Sequence, residues 1–141
     1  MAEPQSAEAV LLVDDEPHIL KLVGQRLAGA GYQVLTASDG AQGLRLARDA
    51  HPAVILLDLS MPALDGLQVL DRLKREPETR DISVIMLTAS GTESQITDAI
   101  ERGALCYLTK PFQPRELLAE VALAAQRHAA AHTRPLIDEA S

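Results

Sequence analysis

The sequence predicts an α/β fold, a doubly wound five-stranded parallel sheet with five helices. Five apolar runs of strand length alternate with longer segments of helical period, the pattern of repeated βα units. Several of the runs are apolar without interruption, as strands covered on both faces must be. At 141 residues, 47% of them hydrophobic, the chain has the length of one domain, which buries about two-thirds of the surface its unfolded form exposes.

The first strand is expected over 9–13. Ile19, Leu20, Val23 and Leu27 then fall at helical spacing, and Gly29 and Gly31 mark the stop before a second strand over 33–37. Ser38 or Asp39 can cap a second helix carrying Ala41, Leu44, Leu46 and Ala47, and His51, preceding a proline, favours an extended exit. A third strand over 54–57 leads to a helix from about 64 to 75, with Leu67, Val69, Leu70 and Leu73 inward and Pro77 as its breaker. A strand over 83–87, a helix over roughly 92–102 and a strand over 105–109 follow. Pro114 suits the first turn of a last helix through Leu117, Leu118, Val121 and Leu123, continuing into 129–131. Residues 1–8 and 133–141 lack periodicity and read as flexible ends, which leaves 9–132 as the domain.

Composition removes several function classes. No stretch has the length of a membrane span and no basic-plus-apolar leader opens the chain, so a soluble, cytoplasmic protein without membrane contact is expected. With a net charge of -7 and scattered Lys and Arg residues, the chain is not expected to bind nucleic acid directly. Cys106 has no partner for an internal disulfide and reads as a buried structural thiol in the apolar run 104–108. His18, His51, His128 and His132 lack zinc-site spacing and read as surface residues.

The chemistry gathers at strand ends. Asp14 and Asp15 follow the first strand and Asp58 the third, so all three carboxylates should emerge at the carboxyl edge of the sheet, where open parallel sheets bind ligands. Two such charges about 5 Å apart repel by roughly 3 kcal/mol at an effective dielectric near 20, so the crevice needs a counter-charge. A hard divalent cation such as Mg²⁺ (or Mn²⁺) supplies it. Taken singly, each carboxylate is as well explained by solvation or capping, and Asp14 stands where it can cap the first helix. The joint presence of the acidic pair, Asp58 and Lys110 before Pro111 argues for a site. A carboxylate can attack phosphorus to give an acyl phosphate, which makes Asp58 the candidate nucleophile. Lys110 can pair first with that carboxylate and then with phosphoryl oxygens, and the Thr88 hydroxyl can donate to one of them.

The stretches Leu11-Leu12-Val13-Asp14-Asp15-Glu16, Asp58-Leu59-Ser60-Met61-Pro62-Ala63-Leu64-Asp65-Gly66, Leu87-Thr88-Ala89 and Lys110-Pro111-Phe112 resemble the motifs of the receiver domain of two-component response regulators, chemotaxis regulators included. The resemblance implies a flavodoxin-like strand order 2-1-3-4-5, Asp58 as phosphoacceptor, and Asp15, Asp58 and the Ser60 carbonyl as direct metal ligands, with Asp14 acting through water. It further implies Thr88 and Lys110 on the phosphoryl group, Thr88 and Tyr107 as the switch pair, Ser60 and Ser90 as tuners of acyl-phosphate lifetime, and a cis Lys110–Pro111 bond. The partners implied are a sensor histidine kinase or phosphotransfer protein, and an output protein engaged through helix four, strand five and helix five. A homodimer is also open. On this reading the chain is a phosphoacceptor that promotes its own phosphorylation and dephosphorylation, not a conventional turnover enzyme. Three alternatives stand beside it: a receiver cut from a longer regulator with a DNA-binding or enzymatic output domain, a haloacid-dehalogenase-like phosphotransferase, and a pseudo-receiver serving only as an interaction module. The second lacks the general acid such enzymes carry two residues beyond the nucleophile, where Ser60 stands.

Overall fold

The computed structural model describes residues 8–59, 61, 65–89 and 92–133. Strands β1 (Ala9–Val13), β2 (Gln33–Ala37), β3 (Val54–Asp58), β4 (Ser83–Thr88) and β5 (Cys106–Thr109) alternate with helices α1 (Pro17–Gly29), α2 (Gly40–Ala50), α3 (Gly66–Arg75), α4 (Glu93–Glu101) and α5 (Pro114–Thr133). All pairings are parallel and the strand order is β2-β1-β3-β4-β5. The order reverses at β1, which pairs with β2 on one side and β3 on the other. That reversal opens a crevice at the strands' carboxyl ends.

Two cores sandwich the sheet. Leu11, Val13, Ile55, Leu57 and Met86 point to the face covered by α2, α3 and α4, where Leu44, Val69, Leu70, Leu73 and Ala99 meet them. Val10, Leu12, Leu56, Ile85 and Leu87 point the other way, to Val23 and Leu27 of α1 and Leu117, Val121 and Ala124 of α5. Alternation along strands buried on both sides sends neighbouring residues into opposite cores, which is why β1 and β3 read as unbroken apolar runs.

Local signals set most boundaries. Pro17 occupies the first turn of α1, where its missing N–H costs nothing, and Gly31 follows the helix at φ +100°, a left-handed conformation that glycine adopts freely. Asp39 caps α2 by accepting the Gln42 N–H at 2.8 Å. Asp65 caps α3 and Thr92 caps α4, each in a reciprocal pair with the glutamine three residues on.

Several expectations are corrected. β3 and β4 run one residue further than expected, taking Asp58 and Thr88 into the ladder, and β5 begins at Cys106. His51 is left-handed (φ 49°) instead of extended, because it closes α2 by donating its N–H to the Ala47 carbonyl. Ala41 is exposed and Gly43 takes its place on the buried face of α2. Leu123 is 55% exposed, since Val121, Ala124 and Ala125 form the inner stripe of α5 there. Cys106 is half-buried, with its Sγ 3.5 Å from Glu120 Oε1. His18 and His51 are exposed and His128 is half-buried. The N-terminal segment 1–7, the tail from 134 onward and the His132 side chain lie outside the described residues. Among those described, no helix is long and apolar enough to cross a membrane.

Candidate functional site

The first two acidic positions follow directly from how β1 ends. Beyond Val13 the backbone stays in register for one more bond, Asp14 N–H donating to the Ala37 carbonyl at 3.1 Å, and this carries the Asp14 side chain inward to full burial. Asp15, the next residue, faces solvent. Asp14 does not cap α1. Its Oδ1 accepts the Glu16 N–H at 2.9 Å, and Glu16 itself holds the cap position with no side-chain capping bond.

Asp58 is the last residue of β3 and is 3% exposed. The turn beyond it is tightly built: Leu59 N–H donates to the Leu87 carbonyl at 2.7 Å, and Gly66 N–H to the Leu59 carbonyl at 3.0 Å. A Cβ on Gly66 would lie 2.3 Å from the Asp58 carbonyl oxygen and 2.7 Å from Leu59 Cα. Only glycine lets α3 start against the backbone that carries Asp58.

The basic member arrives from β5. Thr88, 2% exposed, ends β4 opposite Thr109, and its carbonyl accepts the Lys110 N–H at 2.7 Å. The Lys110–Pro111 bond is cis. Lys110 Nζ donates to Asp14 Oδ2 at 2.8 Å and Glu16 Oε1 at 2.9 Å, and stands 3.7 Å from Asp58 Oδ2. Desolvation alone would lower the Lys110 pKa, but its hydrogen bonds to Asp14 and Glu16 outweigh that and raise it. The same hydrogen bond holds the Glu16 carboxyl below its ordinary range. Lys110 is therefore a cation throughout the neutral range and supplies part of the counter-charge that the crowded carboxylates require.

Asp14, Asp15 and Asp58 each offer an oxygen, and these oxygens lie within 4.8 Å of one another. An all-oxygen, carboxylate-rich donor set of that spacing fits a hard divalent cation.

Of the residues expected at the site, Asp14, Asp15, Asp58, Thr88 and Lys110 converge at the carboxyl edge. Tyr107 stands across from the buried Met86 in the β5–β4 register, at the sheet edge, and is itself 43% exposed. Ser60 and Ser90 lie outside the described residues. Glu16 is the member that sequence reasoning passed over. It belongs to the same acidic run, but its bond to Lys110 arises only where the start of α1 meets the end of β5.

Three carboxylates gathered at a sheet reversal beside a lysine on a cis X–Pro bond match the arrangement that the sequence motifs imply, and the comparisons agree on the family. The chain belongs to the response regulator receiver domain family, whose model matches residues 10–122. It is 46% identical over 112 residues to the DNA-binding dual master transcriptional regulator RpaA of Synechocystis sp., covering 79% of this chain and 46% of that protein. It is 42% identical over 114 residues to the phosphate regulon transcriptional regulatory protein PhoB of Pseudomonas aeruginosa, covering 81% and 50%. The chain thus spans about half the length of these curated relatives. Among solved structures, the chemotaxis protein CheY4 of Vibrio cholerae superposes with a TM-score of 0.80 at 31% identity, over 84% of this chain and 99% of that one. This is a signalling domain, and the family assignment sets the dehalogenase-like reading aside.

Proposed function

We propose that Asp58 accepts a phosphoryl group from the phosphohistidine of a sensor kinase or phosphotransfer protein, and that Asp14, Asp15, Asp58 and the Ser60 carbonyl would hold Mg²⁺ (or Mn²⁺) for that purpose. One observation supports this above the rest. Asp58 is buried within 4.8 Å of two other carboxylates, an arrangement that costs stability and is best explained by a cationic ligand.

The transfer needs alignment and charge more than covalent machinery. A carboxylate oxygen of Asp58 attacks phosphorus; the new O–P bond forms as the P–N bond to the donor imidazole breaks, and the freed imidazole takes a proton. The ion, when bound, offsets negative charge on the phosphoryl oxygens. Lys110, already 3.7 Å from Asp58, can move onto a phosphoryl oxygen, and the Thr88 hydroxyl can donate to another. As Thr88 draws in, Tyr107 turns from its exposed position into the space beside β4. That change would reshape the surface of α4, β5 and α5 for an output protein or a second copy of the chain. The domain bounds of 9–132 and a cytoplasmic location both go with this reading, as does catalysis of its own phosphorylation and dephosphorylation. Since the relatives are about twice as long and are transcriptional regulators, a receiver that controls an output domain outside this chain is the second form of the same proposal.

Incubation with acetyl phosphate and Mg²⁺ tests it. We expect a stable mass increase of one phosphoryl group, absent from Asp58→Asn. Steady hydrolysis of small phosphoesters would point to an enzyme, and no reaction at all to a pure interaction module.

A further inference from the structure

The chain has three lysines, and they stand in three different settings. Lys21 is exposed on α1, and Lys110 is held among carboxylates at the carboxyl edge of the sheet. Lys74 lies at the opposite end. From the last turn of α3 its Nζ donates to the Ile82 carbonyl at 2.7 Å and to the Arg80 carbonyl at 3.0 Å, just ahead of β4. Among the described residues no carboxylate pairs with it, and Asp81 acts on it only from a distance. Its stem packs under Gly103, where a Cβ would come within 3.0 Å of Lys74 Cγ.

Two neutral carbonyl partners suit an uncharged amine: they take its two N–H groups and leave its lone pair available for attack. Burial lowers the Lys74 pKa and Asp81 opposes this only in part, whereas the Lys110 pKa is raised. A lowered value puts more of the amine in its nucleophilic form at a given pH. Lys74 also lines a cavity of about 320 Å³ at the amino ends of β4 and β5, together with Asp81, Ser83, Gly103, Arg127 and His128. The exposed Arg127 offers a guanidinium there, a group matched to phosphate oxygens.

We propose that Lys74 is an acylation site for small acyl phosphates, which enter this cavity with their phosphate against Arg127. The Nζ lone pair attacks the acyl carbon; the C–N bond forms as the C–O bond to phosphate breaks, and phosphate leaves as hydrogen phosphate with the proton the amine gives up. This chemistry is at carbon and does not depend on phosphoryl transfer to Asp58. The amide nitrogen of acylated Lys74 keeps one N–H, so it can hold only one of its two carbonyls, and the loop before β4 loosens.

The test follows acetylation of each lysine by peptide mass spectrometry, with acetyl phosphate as the donor and no Mg²⁺. In the native chain we expect Lys74 to react about three- to tenfold faster than Lys21, with Lys110 slowest. In urea the Lys74 and Lys21 rates should converge, because the preference belongs to the fold. In Arg127→Ala the Lys74 rate should fall about three- to fivefold with acetyl phosphate and hold steady with N-hydroxysuccinimidyl acetate, a donor that carries no phosphate. The acetylated chain should melt a few degrees below the unmodified one. A native Lys74 rate at or below that of Lys21, a preference that persists in urea, or Arg127→Ala rates that move alike for the two donors would overturn the proposal.

Discussion

Asp65 at the head of α3 and Thr92 at the head of α4 do the same local work: each accepts the N–H of a glutamine three residues on, and Gln68 and Gln95 return the bond. The helices are also close in length, ten residues and nine. Their anchoring differs widely. α3 buries Gly66, Val69, Leu70 and Leu73, whereas α4 buries Ala99 alone and leaves Ile100 in solvent. Polar contacts tie the end of α4 instead, with Arg102 bonded to Asp98 at 2.8 Å and reaching Asp71 of α3 at 3.9 Å. Capping decides where a helix starts, but apolar burial decides how firmly it is held. A helix held at one buried residue and by surface ion pairs can shift at low cost, which suits an element beside the proposed switch.

The contrast is open to attack by mutation. Leu70→Ala should lower unfolding free energy by about 2–5 kcal/mol in urea titrations, while Ile100→Ala should stay within about 0.5 kcal/mol; comparable losses at the two positions would erase the distinction. Gly66→Ala should cost about 1–3 kcal/mol, because its Cβ must displace backbone and not a pliant side chain. It should also slow phosphorylation, since the displaced atoms carry Asp58. A variant of unchanged stability would show that α3 is not seated as closely as we describe.

The smallest effect concerns β5, the strand that follows α4. Burial, followed by the nearby Glu120 carboxylate, pushes the Cys106 thiol up to about 12. A pKa raised on folding contributes stability that is present below the ordinary thiol value of 9.0 and is lost as pH climbs from there toward about 12. Iodoacetamide should therefore label the native chain much more slowly than the denatured one at pH 8.5. Fast native labelling would mean that the α4–β5 end opens more readily than its burial implies.

Much of this architecture was legible in the residues. Apolar runs located all five strands to within a residue at either end, and helix starts were readable at Asp39, Thr92 and Pro114 but not at Asp65, whose capping box starts α3 at Gly66, beyond the expected 64. The misreadings fall where a tertiary contact outweighs the local signal. His51 turned left-handed to close α2 although it precedes a proline, and Leu123 lost the inner face of α5 to two alanines that fit more closely. At the site, motif and position identified Asp14, Asp15, Asp58, Thr88 and Lys110 and the pairing of Lys110 with Asp58, but not the closer bonds of Lys110 to Asp14 and Glu16.

Residue identity and spacing suffice for the α/β class, the acidic edge and the phosphoacceptor family, because periodicity and strand-end placement are properties of contiguous segments. Where the Lys110 ammonium rests, that Glu16 shares it, that Tyr107 stands exposed and that α4 is thinly anchored depend on distances between segments far apart in the chain. Those distances are set by how two cores close around one sheet, and no window of sequence contains them.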